Sequence, residues 1–204
     1  MRLVLASNNA GKLAELQTLL APLGLSLVCQ GELGIAEADE PHLTFIENAL
    51  AKARHAAHHA GAAAIADDSG LCVDALGGAP GVRSARYAQD VGQPKGDASN
   101  NRVLLEQLAG VIEPAQRTAS FVCALVAVRS ADDPQPLVAL GRWSGVILEE
   151  PRGHAGFGYD PLMFIAELQC AVAEMSAADK NARSHRGLAS RDMLQQMREV
   201  WRLG

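Results

Sequence analysis

The sequence predicts an α/β fold, built as one unit that is either a single body or two lobes around a cleft. Three observations predict it. Short aliphatic runs alternate with stretches of helical apolar spacing in the first third, the second half is richer in strands, and no repeat or low-complexity linker divides the chain. A chain of 204 residues makes one domain or two lobes and buries roughly 70% of its unfolded surface.

The elements follow in order. Residues 2–6 (RLVLA) form a short β run, and Ser7-Asn8-Asn9-Ala10-Gly11 is turn chemistry. From Lys12, Leu13, Leu16, Leu19, Leu20 and Leu23 fall at helical spacing, stopped by Pro22 and Gly24. Residues 26–29 read as a second strand, followed by a polar loop with Glu37, Asp39 and Glu40. Thr44-Phe45-Ile46-Glu47 is a capping box, in which the Thr hydroxyl accepts an amide and Glu47 reaches back. It opens a helix that ends near Gly61, with Ile46, Ala49, Leu50, Ala53, Ala56 and Ala57 along one side. Residues 63–66 begin a strand expected to break at Asp67-Asp68-Ser69-Gly70.

Residues 89–99 are polar and read as flexible, before a helix near residues 100–108. Residues 119–128 are a long apolar strand, and residues 136–147 hold one or two more. A glycine-rich loop precedes a short strand at 161–165, and residues 176–201 are helical with a break near Ser184-His185-Arg186-Gly187.

Composition excludes several classes. With 18 basic and 23 acidic side chains the net charge is −5, which argues against a non-specific nucleic-acid binder. No window of about 20 apolar residues could span a membrane. The run in MRLVLASNNAGK is too short for a signal peptide and lacks a cleavage site, so a cytoplasmic protein is expected. Cys29, Cys72, Cys123 and Cys170 show no CxxC pair and no His at zinc-ligand spacing, and read as buried, reduced thiols.

Four segments could carry chemistry. In Ser7-Asn8-Asn9-Ala10-Gly11-Lys12, a strand runs into a helix whose free amides and dipole favour anions, and Lys12 adds a point charge. It is no P-loop, because Leu13 follows the lysine where a metal-binding hydroxyl belongs. Taken alone, a polar turn that caps a helix with Asn is the preferred reading. Asp67 and Asp68 stand after an apolar strand, where α/β folds build sites, and Mg²⁺ takes such hard oxygens. Two like charges side by side would also raise one pKa, which suits a general base. The alternative is a solvated turn, and the acidic loop at Asp39 and Glu40 could add a ligand. In Gly153-His154-Ala155-Gly156-Phe157-Gly158-Tyr159-Asp160-Pro161, glycines permit close approach and Phe157 or Tyr159 could stack on a base, unless both are core aromatics. Lys180 and Arg186 could meet phosphate or base oxygens, as surface residues also do without function.

Two features carry less. His55, His58 and His59 share a helix face without a carboxylate partner and read as solvated. Arg83 and Arg86, in a Pro/Gly turn, either border an anionic ligand or belong to simple loop structure.

In this order the segments SNNAGK, TFIENALAKA, ADDSGLCVDALGGAPGVRSARYA, FGYDP and SHRG, with Lys180 ahead of the last, resemble the inosine/xanthosine triphosphate pyrophosphatase family over nearly the whole chain. The resemblance implies a Maf-like fold, a mixed, elongated central sheet flanked by helices, in a single bilobal domain over residues 1–204 with the site in the cleft. It implies hydrolysis of nonstandard purine nucleoside triphosphates (dITP, ITP, XTP) to monophosphate and pyrophosphate, with Mg²⁺, in a homodimer. Ser7, Asn8, Asn9, Ala10, Gly11 and Lys12 would cradle the triphosphate. Asp68 would be general base and metal ligand, supported by Asp67, with Glu40 or Asp39 as further ligand and Lys52 adding charge near the phosphates. Ser69, Phe157, Gly158, Tyr159, Asp160, Lys180, His185 and Arg186 would hold the nucleotide and read its base. The departures lie at residues 89–100 and near Gln169, outside these blocks. Lys12, Lys52, Lys180 and Arg186 together suggest a basic pocket inside an acidic total. The alternatives are a Maf-like pyrophosphatase of other nucleotides and a non-catalytic nucleotide sensor; retention of Asp67, Asp68, Glu40 and Lys12 together favours catalysis.

Overall fold

The computed structural model describes residues 2–203. Its elements are β1 (Arg2–Leu5), α1 (Ala10–Leu20), β2 (Ser26–Cys29), α2 (Phe45–Ala60), β3 (Ala64–Val73), α3 (Asp97–Gln107), β4 (Thr118–Val128), β5 (Leu137–Ile147), β6 (Met163–Ile165), β7 (Cys170–Ala171), α4 (Ala177–Arg183) and α5 (His185–Val200), joined by short 3-10 turns. Seven strands form one open sheet in the order β2-β1-β3-β4-β5-β6-β7. The sheet is mixed. β1 runs parallel to β2 and β3, with Leu3 opposite Leu27 and Leu5 opposite Ile65, whereas β5, β6 and β7 pair antiparallel.

The chain divides into two compact units. One contains the chain up to Asp68, Cys123–Gly141 and the chain from His185 onward. Here the period-2 alternation of the strands sorts side chains onto two faces. Leu3, Leu5, Ile65, Cys123 and Leu125 pack with Leu16 and Leu20 of α1 and with Ala189 and Met193 of α5. Val4, Ala6, Ala64, Ala66, Ala124 and Val126 pack with Ala49, Ala53 and Ala56 of α2. Small residues on both sides of that second interface let α2 lie close to the sheet. The other unit comprises Ser69–Val122 and Arg142–Ser184. Its core joins Leu71 and Val73 to Leu104, Leu108, Phe121, Ile147, Tyr159 and Leu162.

Most boundaries follow the expected signals. Asn9 caps α1 by accepting from the Lys12 amide, and Thr44 caps α2 by accepting from Glu47. Gly61 ends α2 in the left-handed conformation, φ 57°, that favours glycine.

Three expectations need correction. β3 does not break at Asp67 but runs on to Val73. It continues because each carboxylate meets cationic partners on its own face, so neither has to turn toward solvent. The stretch 89–99 is no free loop. A 3-10 turn spans Gly81–Val91, and the buried Asn100 side chain accepts from the Ala88 amide at 2.9 Å and ties it to α3. Of the four cysteines, all free, only Cys123 is buried; Cys29, Cys72 and Cys170 are half-buried. Residues 136–147 form a single strand, and the two-residue β7 was too short to carry a period. Among the described residues no helix is long and apolar enough to cross a membrane.

Candidate active site

Alternation along β3 separates the two adjacent aspartates. Asp67 follows Ile65 onto the α1/α5 face, and Asp68 follows Ala66 onto the α2 face.

Asp67 is buried, and both its oxygens are engaged. Lys12 Nζ lies 2.6 Å from Oδ1, Arg186 Nε lies 2.7 Å from Oδ2, and the Cys123 thiol donates to Oδ2 at 3.2 Å. Burial alone would raise this carboxyl, yet the Arg186 and Lys12 charges outweigh it and hold Asp67 well below the usual carboxylate range. The neighbouring thiol moves the other way, since burial and the Asp67 charge push Cys123 well up. Arg186 is 1% exposed and also pairs with Glu15. Its guanidinium is buried and directed at Asp67 and Glu15.

Asp68 sits against α2. The Lys52 ammonium is 2.7 Å from Asp68 Oδ1, 2.8 Å from Glu40 Oε1 and 2.9 Å from the Asp67 carbonyl. Burial is the main cause that raises the Asp68 carboxyl; Lys52 opposes it and the Glu40 charge adds to it. The direction is the one expected of adjacent carboxylates, but the like charge is Glu40 and not Asp67, which lies on the opposite face. Lys52 itself is raised: burial works against its charge, and attraction to Asp68 and Glu40 overcomes it.

The loop that carries Glu40 is held by α2. Asn48, fully buried, donates to the His42 carbonyl at 3.1 Å and accepts from the His42 amide at 3.0 Å. His55 Nε2 bonds the Ala36 carbonyl at 2.9 Å. Asn48, Lys52 and His55, spaced i, i+4 and i+7, form one polar stripe along the helix. Asn48 was detectable in sequence as a polar residue between the apolar positions of TFIENALAKA; His55, expected to be solvated like His58 and His59, is instead half-buried and bonded to this loop, while the other two are exposed.

These residues fit a divalent cation. Asp68 Oδ2 is a buried carboxylate oxygen without a hydrogen-bond partner, and Glu40 is brought to the same lysine. Two carboxylates, completed by substrate phosphates and water, are the donor set Mg²⁺ takes. No group of three His, Cys, Asp or Glu side chains suited to a metal occurs among the described residues, so the protein alone does not complete a cage. Asp39 is exposed and forms no hydrogen bond or ion pair with this cluster, which leaves Glu40 as the candidate ligand.

Between β1 and α1, Ser7 is half-buried while Asn8, Asn9 and Ala10 are exposed. Ser7 Oγ accepts from the Asn9 amide at 3.1 Å, and Asn8 is tied to the Gly31 amide and to Glu37. Lys12, one turn into α1, is the link between this loop and Asp67.

The second unit holds the aromatic candidates. Tyr159 is core, its hydroxyl donating to the Ser84 carbonyl at 3.0 Å. Phe157 is half-buried and faces the Lys180 ammonium, 4.5 Å from the ring centre. Lys180 is paired with buried Asp160 at 2.7 Å, and the same carboxylate accepts from the Phe157 amide. At Gly156 (φ 78°) any Cβ would fall 2.0 Å from Asp160 Oδ2, so only glycine lets this loop close. The Gly158 amide donates to Asp97 at the start of α3. Ser69, half-buried, follows Asp68 directly on β3. In the first unit, His185 is buried at the start of α5. Lys12, Lys52, Lys180 and Arg186, the cations expected to supply positive charge, are each matched by a carboxylate.

The chain is similar to known proteins over its length. A family model described as the Ham1 family matches residues 3–196. The dITP/XTP pyrophosphatase of Methylibium petroleiphilum is 64% identical over 209 residues, covering 98% of this chain and 99% of that protein. That of Leptothrix cholodnii is 61% identical over 214 residues, covering 100% of both. Among solved structures, a HAM1 protein from Coxiella burnetii superposes with TM-score 0.88 at 43% identity, covering 98% of this chain and 100% of that one.

Proposed function

The chain belongs to the Ham1 family, and on that premise we propose that it cleaves nonstandard purine nucleoside triphosphates (dITP, ITP and XTP) to the monophosphate and pyrophosphate. It is a nucleoside triphosphate pyrophosphatase. The observation that carries the mechanism is the Asp68 carboxylate: buried, raised in pKa, with Oδ2 unpartnered beside Glu40 and Lys52.

Cleavage between the α- and β-phosphates requires an activated water and compensation of the charge that develops on phosphate oxygens. Asp68 accepts the proton of the attacking water, a role its raised pKa suits. Asp68 and Glu40 would hold Mg²⁺, which would neutralise charge on the phosphate oxygens. Lys12 donates to Asp67 alone, leaving an N–H for the phosphates. Asp67 stays ionised and fixes Lys12 and Arg186. Ser7, Asn8, Asn9, Ala10 and Gly11 cradle the triphosphate at the start of α1, where exposed amides and helix dipole favour anions. Within the second unit, we assign base recognition to the Phe157 ring with Lys180 and to the Gly158 and Ser69 backbone. Donors aimed at the C6 oxygen of hypoxanthine or xanthine would face an amino group in adenine, and an unpaired buried donor discriminates by several powers of ten.

A panel of dITP, XTP, GTP, dTTP and UTP tests the substrate class. Turnover of dITP and XTP far above the others is expected; equal turnover of dTTP and dITP would instead favour a Maf-like pyrophosphatase. A homodimer in the cytoplasm is part of the same proposal. The free thiols suit a reducing compartment, and light scattering at twice the 21.5 kDa chain mass checks the dimer.

A further inference from the structure

Lys52 spends every hydrogen it has on the protein. An ammonium carries three, and these go to Glu40 Oε1 (2.8 Å), Asp68 Oδ1 (2.7 Å) and the Asp67 carbonyl (2.9 Å). We propose that Lys52 is a tethered stand-in for the divalent cation, occupying the Glu40–Asp68 pair in the empty site and exchanging with the metal when a metal–triphosphate arrives. The inference rests on the metal pair assigned above and adds how that pair is kept closed and when it opens.

Two facts force the exchange. Its side chain is only 11% exposed, so little water screens a second cation brought to the same two carboxylates, and the two positive charges repel. Nor can Lys52 donate to a phosphate without giving up one of its three present bonds. A metal that takes over Glu40 and Asp68 frees those N–H groups, and the incoming phosphate accepts them. Cation entry and phosphate contact by Lys52 are thus a single coupled event. Metal and triphosphate each raise the affinity for the other by the same factor, because coupling free energy is reciprocal.

The surrounding structure is built for this. When Lys52 lets go, Glu40 must not drift, and its loop is pinned independently by Asn48 on His42 and by His55 on Ala36. Lys52 also keeps a bond to the Asp67 carbonyl as a pivot. Lys12, whose bonds all go to Asp67, does not bridge the metal pair and would not compete in this way.

The test is Mn²⁺ binding, read by electron paramagnetic resonance, to metal-free protein at pH 8 without nucleotide. Lys52→Met and Lys52→Gln are expected to bind Mn²⁺ tighter than wild type, by roughly 5- to 150-fold as typical coupling predicts, although both turn over more slowly. Asp68→Asn is expected to lose the site. A non-hydrolysable ITP analogue should tighten Mn²⁺ binding to wild type and do so less in the Lys52 variants. Circular dichroism establishes that each variant is folded, and Lys52→Gln serves if Lys52→Met is not. Mn²⁺ binding to the lysine variants no tighter than to wild type overturns the proposal, as does wild-type affinity in Asp68→Asn. Absence of pyrophosphate release from dITP by wild type would contradict the assigned activity and leaves this binding result independent.

Discussion

Asp67 and Asp68 differ by one residue and by a half-turn of the strand, and their chemistry diverges accordingly. Asp67 faces Arg186 and Lys12, is held ionised, and has no oxygen to spare. Asp68 faces α2 and keeps one oxygen unpartnered. The pair was visible in the sequence as a site, and so were Lys12, Lys52 and Glu40. Their division of labour was not, because it depends on β3 running straight through them. Glu15 and Cys123, which complete the surroundings of Asp67, carry no sequence signal; one lies on an ordinary helix surface pattern and the other in an apolar strand. Asp67→Asn removes a buried charge and leaves Arg186 and Lys12 against a neutral amide. Breaking such a pair from one side costs roughly 3–5 kcal/mol. Urea unfolding of this variant should show a loss of that size, and a loss under about 1 kcal/mol would contradict the structural role given to Asp67.

At the level of elements, local rules decided most of the outcome. The capping box at Thr44 and the glycine at 61 bound α2 where the sequence placed it, because capping uses groups within one turn. β3 escaped the same logic, since what extends it past Asp67 lies on α1, α2 and α5, far away in sequence. The loop between β4 and β5 shows a further ion pair that sequence reading missed. Asp133, 2% exposed, accepts from the Arg129 and Gln135 amides and from the Arg129 guanidinium, its carboxylate capping the loop. The hydrogen bond from the Arg129 side chain is the main cause that holds Asp133 far below its usual value, against the pull of burial. A carboxyl depressed by folding stabilises the native state above its unfolded pKa of about 4 and loses that contribution as pH falls toward the folded value. The stability difference between wild type and Asp133→Ala, measured by denaturant titration, should therefore be largest at pH 6–7 and shrink steadily below about pH 4. A difference that stayed constant down to pH 2 would show that lost packing, not the ion pair, explains it.

At the scale of the whole molecule, β3, β4 and β5 each begin in one unit and end in the other. Asp68 is the last residue of the first unit and Ser69 the first of the second, so a single strand links the metal-ligand candidates to the other core. Length and apolar periodicity predicted a fold of this size and class, and the ordered motifs predicted the family. Neither predicted that Lys12, Lys52, Lys180 and Arg186 each pair with a carboxylate, because charge pairing is set by tertiary placement and not by counts. On the proposed function, Asp68 is the group on which the chemistry at the triphosphate depends. The most direct measurement is pyrophosphate release from dITP with Mg²⁺ by wild type and Asp68→Asn, alongside nucleotide binding by each. Release by the wild type that falls at least about 100-fold in Asp68→Asn, a loss typical for a general base, with nucleotide still bound, is the predicted result. Undiminished release by Asp68→Asn, or binding without release in the wild type, would contradict the account.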